Sequence, residues 1–262
     1  MECEKMERPY ESFGLRDQVA IVTGASQGIG KTLAIELARA GVHVALVSRT
    51  RPALEETAAE VERLGRKALV VPTDLREVAQ IRAMVKQVHE AFGQINILIN
   101  DAAWTATVPA LEVTEAEWNQ TVDTSLKGLF FTSQAVAPIM MAQGRGKIVN
   151  LGSTLAEVAF FGRSVYAAVK AGVHQLTRAL AFEWAASGVY VNAIAPCITE
   201  TPTRRHLFER PGYKEWVTGQ MLPIKRWAQP QDMVGATLFL CSPLSDMVVG
   251  HVLMVDGGWT IH

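Results

Sequence analysis

The stretch Val19-Ala-Ile-Val-Thr-Gly24-Ala-Ser-Gln-Gly28-Ile-Gly30 decides the predicted fold of this chain. It starts with a short β-branched run typical of a buried strand, and a helix-length segment, 28–40, follows the glycines. Glycines let the backbone turn tightly and approach a pyrophosphate, which binds at the positive N-terminus of the following helix. Glycines alone are weak evidence, because any tight turn needs them, but their place at a strand–helix junction favours nucleotide binding. The residues predicted to contact the nucleotide here are Gly24, Ser26, Gln27, Gly28, Ile29 and Gly30.

Short apolar runs alternate with helical segments along the whole chain. The predicted strands span 19–22, 42–47, 68–71, 95–99, 148–151, 189–194 and 252–255. The predicted helices span 28–40, 52–64, 77–92, 115–141, 165–187 and 229–241, with start signals at Thr114-x-x-Glu117 and Asp74-x-x-Glu77. Because the strands are apolar on both faces, we predict an α/β fold with a doubly wound parallel sheet and helices on both of its faces.

We find no repeat, linker or low-complexity tract, so a single domain is predicted over residues 15–262, after an N-terminal extension of residues 1–14. The segment 197–223 follows the sixth strand and is rich in Thr, Arg and Pro. It is too long for an ordinary connection, and we expect it to form a lid over the substrate.

Composition excludes several classes of protein. The 262 residues include 25 Lys and Arg against 26 Asp and Glu, so the net charge of -1 gives no broad attraction to nucleic acid or to an anionic membrane. No apolar run approaches the roughly 20 residues of a membrane helix, and the N-terminus lacks the apolar core of a secretory signal. Cys3, Cys197 and Cys241 are far apart and odd in number, which indicates neither a disulfide framework nor a zinc site. We expect a cytoplasmic protein without a metal.

Tyr166-Ala-Ala-Val-Lys170 is the second chemical signal. On a helix, positions i and i+4 share a face, so the ammonium lies beside the phenol. A nearby positive charge lowers a tyrosine pKa, which makes the phenol usable as a general acid or base. The pair is poor evidence by itself and needs its context.

The motifs around this pair supply the context: over nearly its whole length, the chain resembles the short-chain dehydrogenase/reductase family. The resemblance is carried by the glycine loop, Ser153 thirteen residues before Tyr166, Val191-Asn-Ala-Ile-Ala-Pro196 and Val255-Asp-Gly-Gly258. It implies a Rossmann fold with strand order 3-2-1-4-5-6-7 and an enzyme that interconverts a carbonyl and a secondary alcohol, with hydride carried by a nicotinamide. Among branches of the family, the chain is most similar to gluconate 5-dehydrogenases and 3-oxoacyl-carrier-protein reductases.

The resemblance also implies roles for individual residues. Tyr166 would exchange the proton with the substrate oxygen, Lys170 would lower the tyrosine pKa and hold the nicotinamide ribose, and Ser153 would hydrogen-bond the reacting oxygen. Asp74 would meet the adenine. The other residues expected at the cofactor are Leu75, Asn100, Ala102, Pro196, Ile198 and Thr201, and those expected at the substrate are Trp104, Thr154, Leu155, Phe160 and Phe161.

Four positions, Asp101, Ala103, Ser125 and Cys197, depart from the family pattern. The usual Asn-Asn-Ala-Gly is Asn100-Asp101-Ala102-Ala103, and the Asn that usually completes a catalytic tetrad is Ser125. Because a hydroxyl can still donate and accept a hydrogen bond, we expect an adapted proton relay at Ser125. Cys197 replaces a glycine and is expected to be a small buried residue rather than an oxidation sensor. These departures keep open an alternative, a nucleotide-binding regulatory protein with weak or no turnover.

The end of the second strand favours NADP(H) over NAD(H). A fold that prefers NAD places an acidic residue there to bind the ribose hydroxyls, whereas this chain has Ser48 and Arg49. A guanidinium suits a 2′-phosphate, although both Arg49 and Arg51 could simply be solvated in a loop. The expected partners are a small carbonyl or alcohol substrate and further copies of the chain, as a homotetramer or homodimer formed through the two long helices and the last strand.

Overall fold

A seven-stranded parallel sheet forms the centre of the computed structural model, which describes residues 13–261. Its spatial order is β3-β2-β1-β4-β5-β6-β7, and every neighbouring pair is parallel. The strands are β1 (Val19–Thr23), β2 (His43–Ser48), β3 (Ala68–Pro72), β4 (Ile97–Asn100), β5 (Gly146–Leu151), β6 (Val189–Pro196) and β7 (Val252–Val255). The predicted strand order is therefore confirmed. Residues 1–12, which include Cys3 and most of the predicted N-terminal extension, lie outside the described residues.

Helices connect the strands and cover the sheet. They are α1 (Gly28–Arg39), α2 (Arg51–Arg63), α3 (Val78–Phe92), α4 (Glu115–Val122), α5 (Gly128–Ala142), α6 (Ser164–Trp184), α7 (Arg205–Phe208), α8 (Tyr213–Trp216) and α9 (Val234–Cys241). None of the helices in the described part of the chain is long and apolar enough to cross a membrane.

The strands are buried on both faces, as their composition predicts. Along β1, Ala20 and Val22 pack into a cluster with α1, α2 and α9, whereas Val19 and Ile21 pack into a second cluster with α3, α5 and α6. Successive side chains of a strand point to opposite faces, so a continuous apolar run feeds two cores at once. This pattern produces the doubly wound arrangement.

Two predicted helix boundaries have different outcomes. The Thr114 side chain accepts a hydrogen bond from the Glu117 amide and Glu117 binds back, so the predicted capping box starts α4. The start signal at Asp74 is wrong, because α3 begins at Val78 and the Asp74 carboxylate instead accepts from the amide and guanidinium of Arg76. Because the Asp74 carboxylate forms an ion pair with Arg76, it does not cap the helix.

The predicted helix over 115–141 is present but interrupted. A π-helical turn, Asp123–Lys127, lies between α4 and α5 and places the buried Ser125 toward the sheet's functional edge. Such turns are frequent at functional sites. The segment 197–223 is not structureless, since it contains α7, α8 and a second π-helical turn, Val217–Met221. Aromatic contacts hold it, with the Phe208 ring 4.7 Å from that of Trp227 and 5.8 Å from that of Tyr213.

Candidate active site

A cleft runs along the carboxyl ends of the strands, where the strand order reverses between β1 and β4. Ligands bind at this switch point in open parallel sheets. Most residues predicted for the cofactor and catalysis line it together. They are Gly24, Ser26, Gln27, Gly28, Ile29, Ser48, Arg49, Asp74, Leu75, Ala102, Trp104, Ser153, Tyr166, Lys170, Pro196 and Thr201.

The glycine loop leaves room for a ligand and none for side chains. Gly24 adopts a φ of +73°, and a Cβ atom on Gly30 would lie 2.5 Å from the carbonyl oxygen of Gly24. Gln27 forms no side-chain cap at the start of α1. The Gly28 and Ile29 amides at the start of this helix therefore have no side-chain acceptor, which suits a pyrophosphate, whereas the Gly30 amide donates to Asp101. The residues present fit a dinucleotide.

The adenosine end of the cleft carries a fixed carboxylate and an arginine. The Arg76 Nε atom donates to the Asp74 Oδ1 and Oδ2 atoms at 3.0 and 3.1 Å. This hydrogen bonding is the main cause that holds the pKa of Asp74 below its usual value, and the charge of Arg49 adds to it. Ser48 and Arg49 line the same end, at the tip of β2.

Ser153, Tyr166 and Lys170 converge at the other end. Tyr166 and Lys170 share one face of α6, with the Lys170 Nζ atom 5.5 Å from the centroid of the phenol ring. The Lys170 ammonium donates to the carbonyl of Leu151, and the Leu155 amide donates to the Ser153 hydroxyl at 3.1 Å, so both groups are held in place. These contacts fix the two partners around the phenol.

The environment of Tyr166 favours its ionised form. Burial alone would raise the pKa of the phenol, but the charge of Lys170, the charge of Arg204, a hydrogen bond with Ser153 and the charge of Arg163 together lower it. A phenol with a lowered pKa exchanges protons more readily near neutral pH.

Asn100, the last residue of β4, and Asp101, which follows it, have different surroundings: the first lies inside the sheet and the second in the cleft wall. The Asn100 side chain donates to Ser133 at 3.0 Å and to Asn150 at 2.9 Å inside the sheet, so it braces β4 against β5 rather than lining the adenosine site as expected. Asp101 lies in the cleft wall, although it was not among the predicted site residues. Its position directly after a strand at the switch point was the available signal.

The Asp101 carboxylate is enclosed by the glycine loop. The residue is partly open to the cleft, but a Cβ atom on Gly30 would lie 2.6 Å from its Oδ2 atom, and one on Gly24 would lie 2.9 Å away. Burial raises the pKa of Asp101 to about 7, although the charge of Lys170 and a hydrogen bond from the Gly30 amide oppose the rise.

Ser125 holds the wall of the cleft. Its Oγ atom accepts from the Trp104 amide at 3.0 Å and donates to the Trp104 carbonyl at 3.2 Å. The single hydroxyl proton is therefore used by the backbone of the Trp104 segment. This contact fixes the place of Trp104 in the cleft, a role distinct from the proton relay expected at this position.

Several expected residues lie away from the cleft. Phe161 is 81% exposed, and Phe160 packs 5.8 Å from Trp216 and 6.4 Å from Trp259. Because Phe160 is used to anchor the 197–223 segment, it contacts protein rather than the open cleft. The other expected residues that do not line the cleft are Gly30 and Asn100, Ser125, Thr154, Leu155 and Ile198.

Other residues of the cleft were not among the predicted site. They are Thr50, Thr73, Asp101, Ala103, Thr105, Thr124, Leu151 and Gly152, whereas Cys197, Thr199, Thr203 and Arg204 belong to the 197–223 segment that was expected over the substrate. Burial raises the pKa of the Cys197 thiol to about 11, so it stays protonated, which agrees with a small buried residue. Within residues 13–261, no group of three His, Cys, Asp or Glu side chains is placed to hold a metal ion.

Comparisons with known proteins give the same family throughout the chain. The family model described as Enoyl-(Acyl carrier protein) reductase matches residues 24–260. A gluconate 5-dehydrogenase of Gluconobacter oxydans (strain 621H) is 37% identical over 249 residues, covering 95% of this chain and 97% of the relative. A galactitol 2-dehydrogenase (L-tagatose-forming) of Cereibacter sphaeroides is 39% identical over 255 residues, with the same coverage.

A solved structure agrees with the fold in detail. A gluconate 5-dehydrogenase from Burkholderia cenocepacia J2315, in complex with NADP and tartrate, superposes with a TM-score of 0.92 at 34% identity, covering 97% of this chain and 100% of that one. The match over most of both chains confirms the resemblance carried by the glycine loop and the Ser153, Tyr166 and Lys170 positions. The chain belongs to the short-chain dehydrogenase/reductase family and is an oxidoreductase.

Proposed function

We propose that this protein uses NADP(H) to interconvert a carbonyl compound and a secondary alcohol. The observation that carries the proposal is the convergence of Ser153, Tyr166 and Lys170 at one end of a cleft whose other end is lined by the glycine loop and Arg49. A long cleft with nucleotide-binding features at one end and an acid–base group at the other suits hydride transfer between a cofactor and a small substrate.

The nicotinamide, when bound, supplies or accepts the hydride. In the reducing direction, Tyr166 donates its proton to the substrate oxygen and takes a proton back in the oxidising direction. The Lys170 charge stabilises the phenolate left behind, and the Leu151 carbonyl holds that ammonium close to the ring. Ser153 hydrogen-bonds the reacting oxygen and stabilises the charge that develops there.

The preference for NADP(H) rests on the tip of β2. Ser48 is too short to compete with a 2′-phosphate, and Arg49 brings a guanidinium whose geometry matches phosphate oxygens. Asp74 is held by Arg76, so its negative charge is already neutralised and repels a phosphate less. The relative from Burkholderia cenocepacia, crystallised with NADP, supports the same choice.

The alternative is a nucleotide-binding regulatory protein that turns over poorly. It follows from Ser125 in place of the usual asparagine. The assembled Ser153, Tyr166 and Lys170 group favours an enzyme, because a purely regulatory site has no need for a phenol whose pKa is lowered by neighbouring charges.

Cofactor titration followed by a turnover assay tests the proposal. We expect purified protein to bind NADPH more tightly than NADH and to reduce at least one carbonyl in a panel of keto-sugar acids, ketoses and β-ketoacyl thioesters. Tyr166→Phe should keep NADPH affinity and lose turnover by orders of magnitude. Tyr190→Phe is the matched control, since Tyr190 lies on β6 beneath Lys147 and away from the cleft. Tight binding with no turnover on any carbonyl would favour the regulatory alternative.

We further propose a homotetramer or homodimer. The outer face of α6 presents small residues at Ala168 and Ala171, and Phe182 on the same helix is 91% exposed. Exposed apolar surface of this kind marks interaction sites. Sedimentation at micromolar concentration checks it, and a monomer would contradict it. The cytoplasmic location also stays a proposal, which localisation of a tagged chain would test.

A further inference from the structure

Two arginines from different parts of the chain lie next to residues of the reacting end of the cleft. Arg163 precedes α6, and Arg204 ends the 3₁₀ turn Pro202–Arg204 in the 197–223 segment. Both charges act on the Tyr166 phenol, and Arg204 lines the cleft. Arg163 lines a small pocket that shares Thr105 and Tyr166 with the cleft, so the fold brings two guanidinium groups, which we call the arginine pair, close to the reacting end.

The Arg163 side chain is half-buried and held. Its Nη1 atom donates to the Thr105 hydroxyl at 3.0 Å and to the Ala106 carbonyl at 3.3 Å. Arginine has five N–H donors, so the Nε and Nη2 donors are not used by these bonds. A fixed guanidinium with unused donors is pre-organised for a planar acceptor.

The positive charge of the pair is not compensated by protein. Across residues 13–261 neither guanidinium forms an ion pair with a carboxylate. Burial and then the charge of Arg204 lower the pKa of Arg163. Like charges that act on each other beside a partly desolvated cleft are stabilised when an anion binds near both of them.

We propose that the arginine pair binds a carboxylate of the substrate, so that the preferred substrates are hydroxy acids and keto acids rather than neutral polyols. This inference rests on the proposed oxidoreductase function. The Thr203 hydroxyl, which also lines the cleft and shares one hydrogen bond with the Thr201 hydroxyl, keeps hydrogen-bonding capacity for a hydroxyl group carried by such an acid. The relatives do not decide the matter, since one is named for gluconate, an acid, and another for galactitol, a neutral polyol.

Calorimetric binding of tartrate and threitol to the NADP complex of the whole protein tests the site without needing turnover. The two probes share a four-carbon skeleton and inner hydroxyls but differ in their carboxylates. We expect tartrate to bind at least about tenfold more tightly than threitol, and Arg163→Gln and Arg204→Gln each to weaken tartrate binding about tenfold or more. Arg205→Gln is the matched control, because Arg205 is exposed, adjacent in sequence and outside the cleft lining, and should change tartrate binding less than about twofold.

The outcomes separate this inference from the proposed function. Equal binding of tartrate and threitol, or undiminished tartrate binding in Arg204→Gln, would overturn the carboxylate site, and turnover of neutral carbonyls would leave the oxidoreductase standing. Tartrate binding that depends on the pair, with no turnover of any carbonyl, would support the site and remove the proposed reaction. Arg163→Gln also disturbs the Thr105–Ala106 segment, so Arg204→Gln, whose side chain makes no such contact among the described residues, is the deciding variant.

Discussion

Replacing Asp101 with asparagine should stabilise the protein at alkaline pH and not at acid pH. The carboxylate packs against the glycine loop, where burial raises its pKa from 3.8 to about 7. An acid whose pKa is raised on folding contributes stability that is fully present below the unfolded pKa and is lost as the pH rises through the folded one. Between pH 4 and pH 7 this amounts to a loss of at most about 4 kcal/mol, at 1.36 kcal/mol per unit of pKa.

Urea unfolding of the wild type and Asp101→Asn across pH 4 to 8.5 measures the effect. Both proteins share every other titrating group, so the difference between their free energies of unfolding isolates Asp101. We expect that difference to rise by up to about 4 kcal/mol in favour of the variant as the pH goes from 4 to 8. Any constant offset from the amide's own packing leaves the slope unchanged.

The dependence of this free-energy difference on pH tests whether the pKa of Asp101 is raised in the folded protein. A difference that stays flat with pH would show that Asp101 has an ordinary pKa in the folded protein, and that the glycine loop does not enclose its carboxylate. A difference of opposite sign would show that the carboxylate is stabilised as an anion, with the Lys170 charge and the Gly30 amide outweighing burial. Glu56→Gln, at an exposed position of α2, provides a control for the general effect of removing a carboxylate from the helices that cover this side of the sheet.

Three further changes test other parts of the cleft. Arg49→Glu should weaken NADPH binding far more than NADH binding in fluorescence titrations, and equal losses would refute its role at the 2′-phosphate. Gly30→Ala should abolish cofactor binding and destabilise the fold by several kcal/mol in thermal unfolding, because its Cβ atom would lie 2.5 Å from a backbone carbonyl oxygen. Ser125→Ala should raise the substrate KM several-fold through the freed Trp104 segment while kcat and its pH profile hold, and a fall in kcat alone would indicate a proton relay instead.

Much of the fold was predictable because each local signal agrees with the global arrangement. Apolar runs on both faces of β1 imply a sheet covered on both sides, and the two clusters fed by Val19 and Ala20 bear this out. The proximity of Tyr166 and Lys170 was predictable because residues four apart on one helix share a face.

Contacts that join distant segments were not predictable from spacing. Ser125 forms a hydrogen bond with Trp104, which lies 21 residues earlier in the chain. The charge of Arg204 acts on Arg163, although α6 and β6 lie between the two residues in the sequence. No periodicity encodes such pairs, because they depend on how the π-helical turn and the 197–223 segment settle against the sheet. Phe160 and Phe161 show the same limit, since adjacent residues in one loop point one into an aromatic cluster and the other into solvent.

The charges of the cleft lead to one more prediction. Arg49 stands at one end and the arginine pair at the other, while the Asp101 carboxylate lies between them beside the amides that would receive the pyrophosphate. An ionised Asp101 repels that pyrophosphate, and Lys170 is the cation that faces it and offsets part of the repulsion. NADPH affinity should therefore fall as the pH rises through about 7 in the wild type. Calorimetric titration with NADPH at several pH values measures this. In Asp101→Asn the affinity should change little over the same pH range, and a parallel fall in both proteins would show that another group titrates.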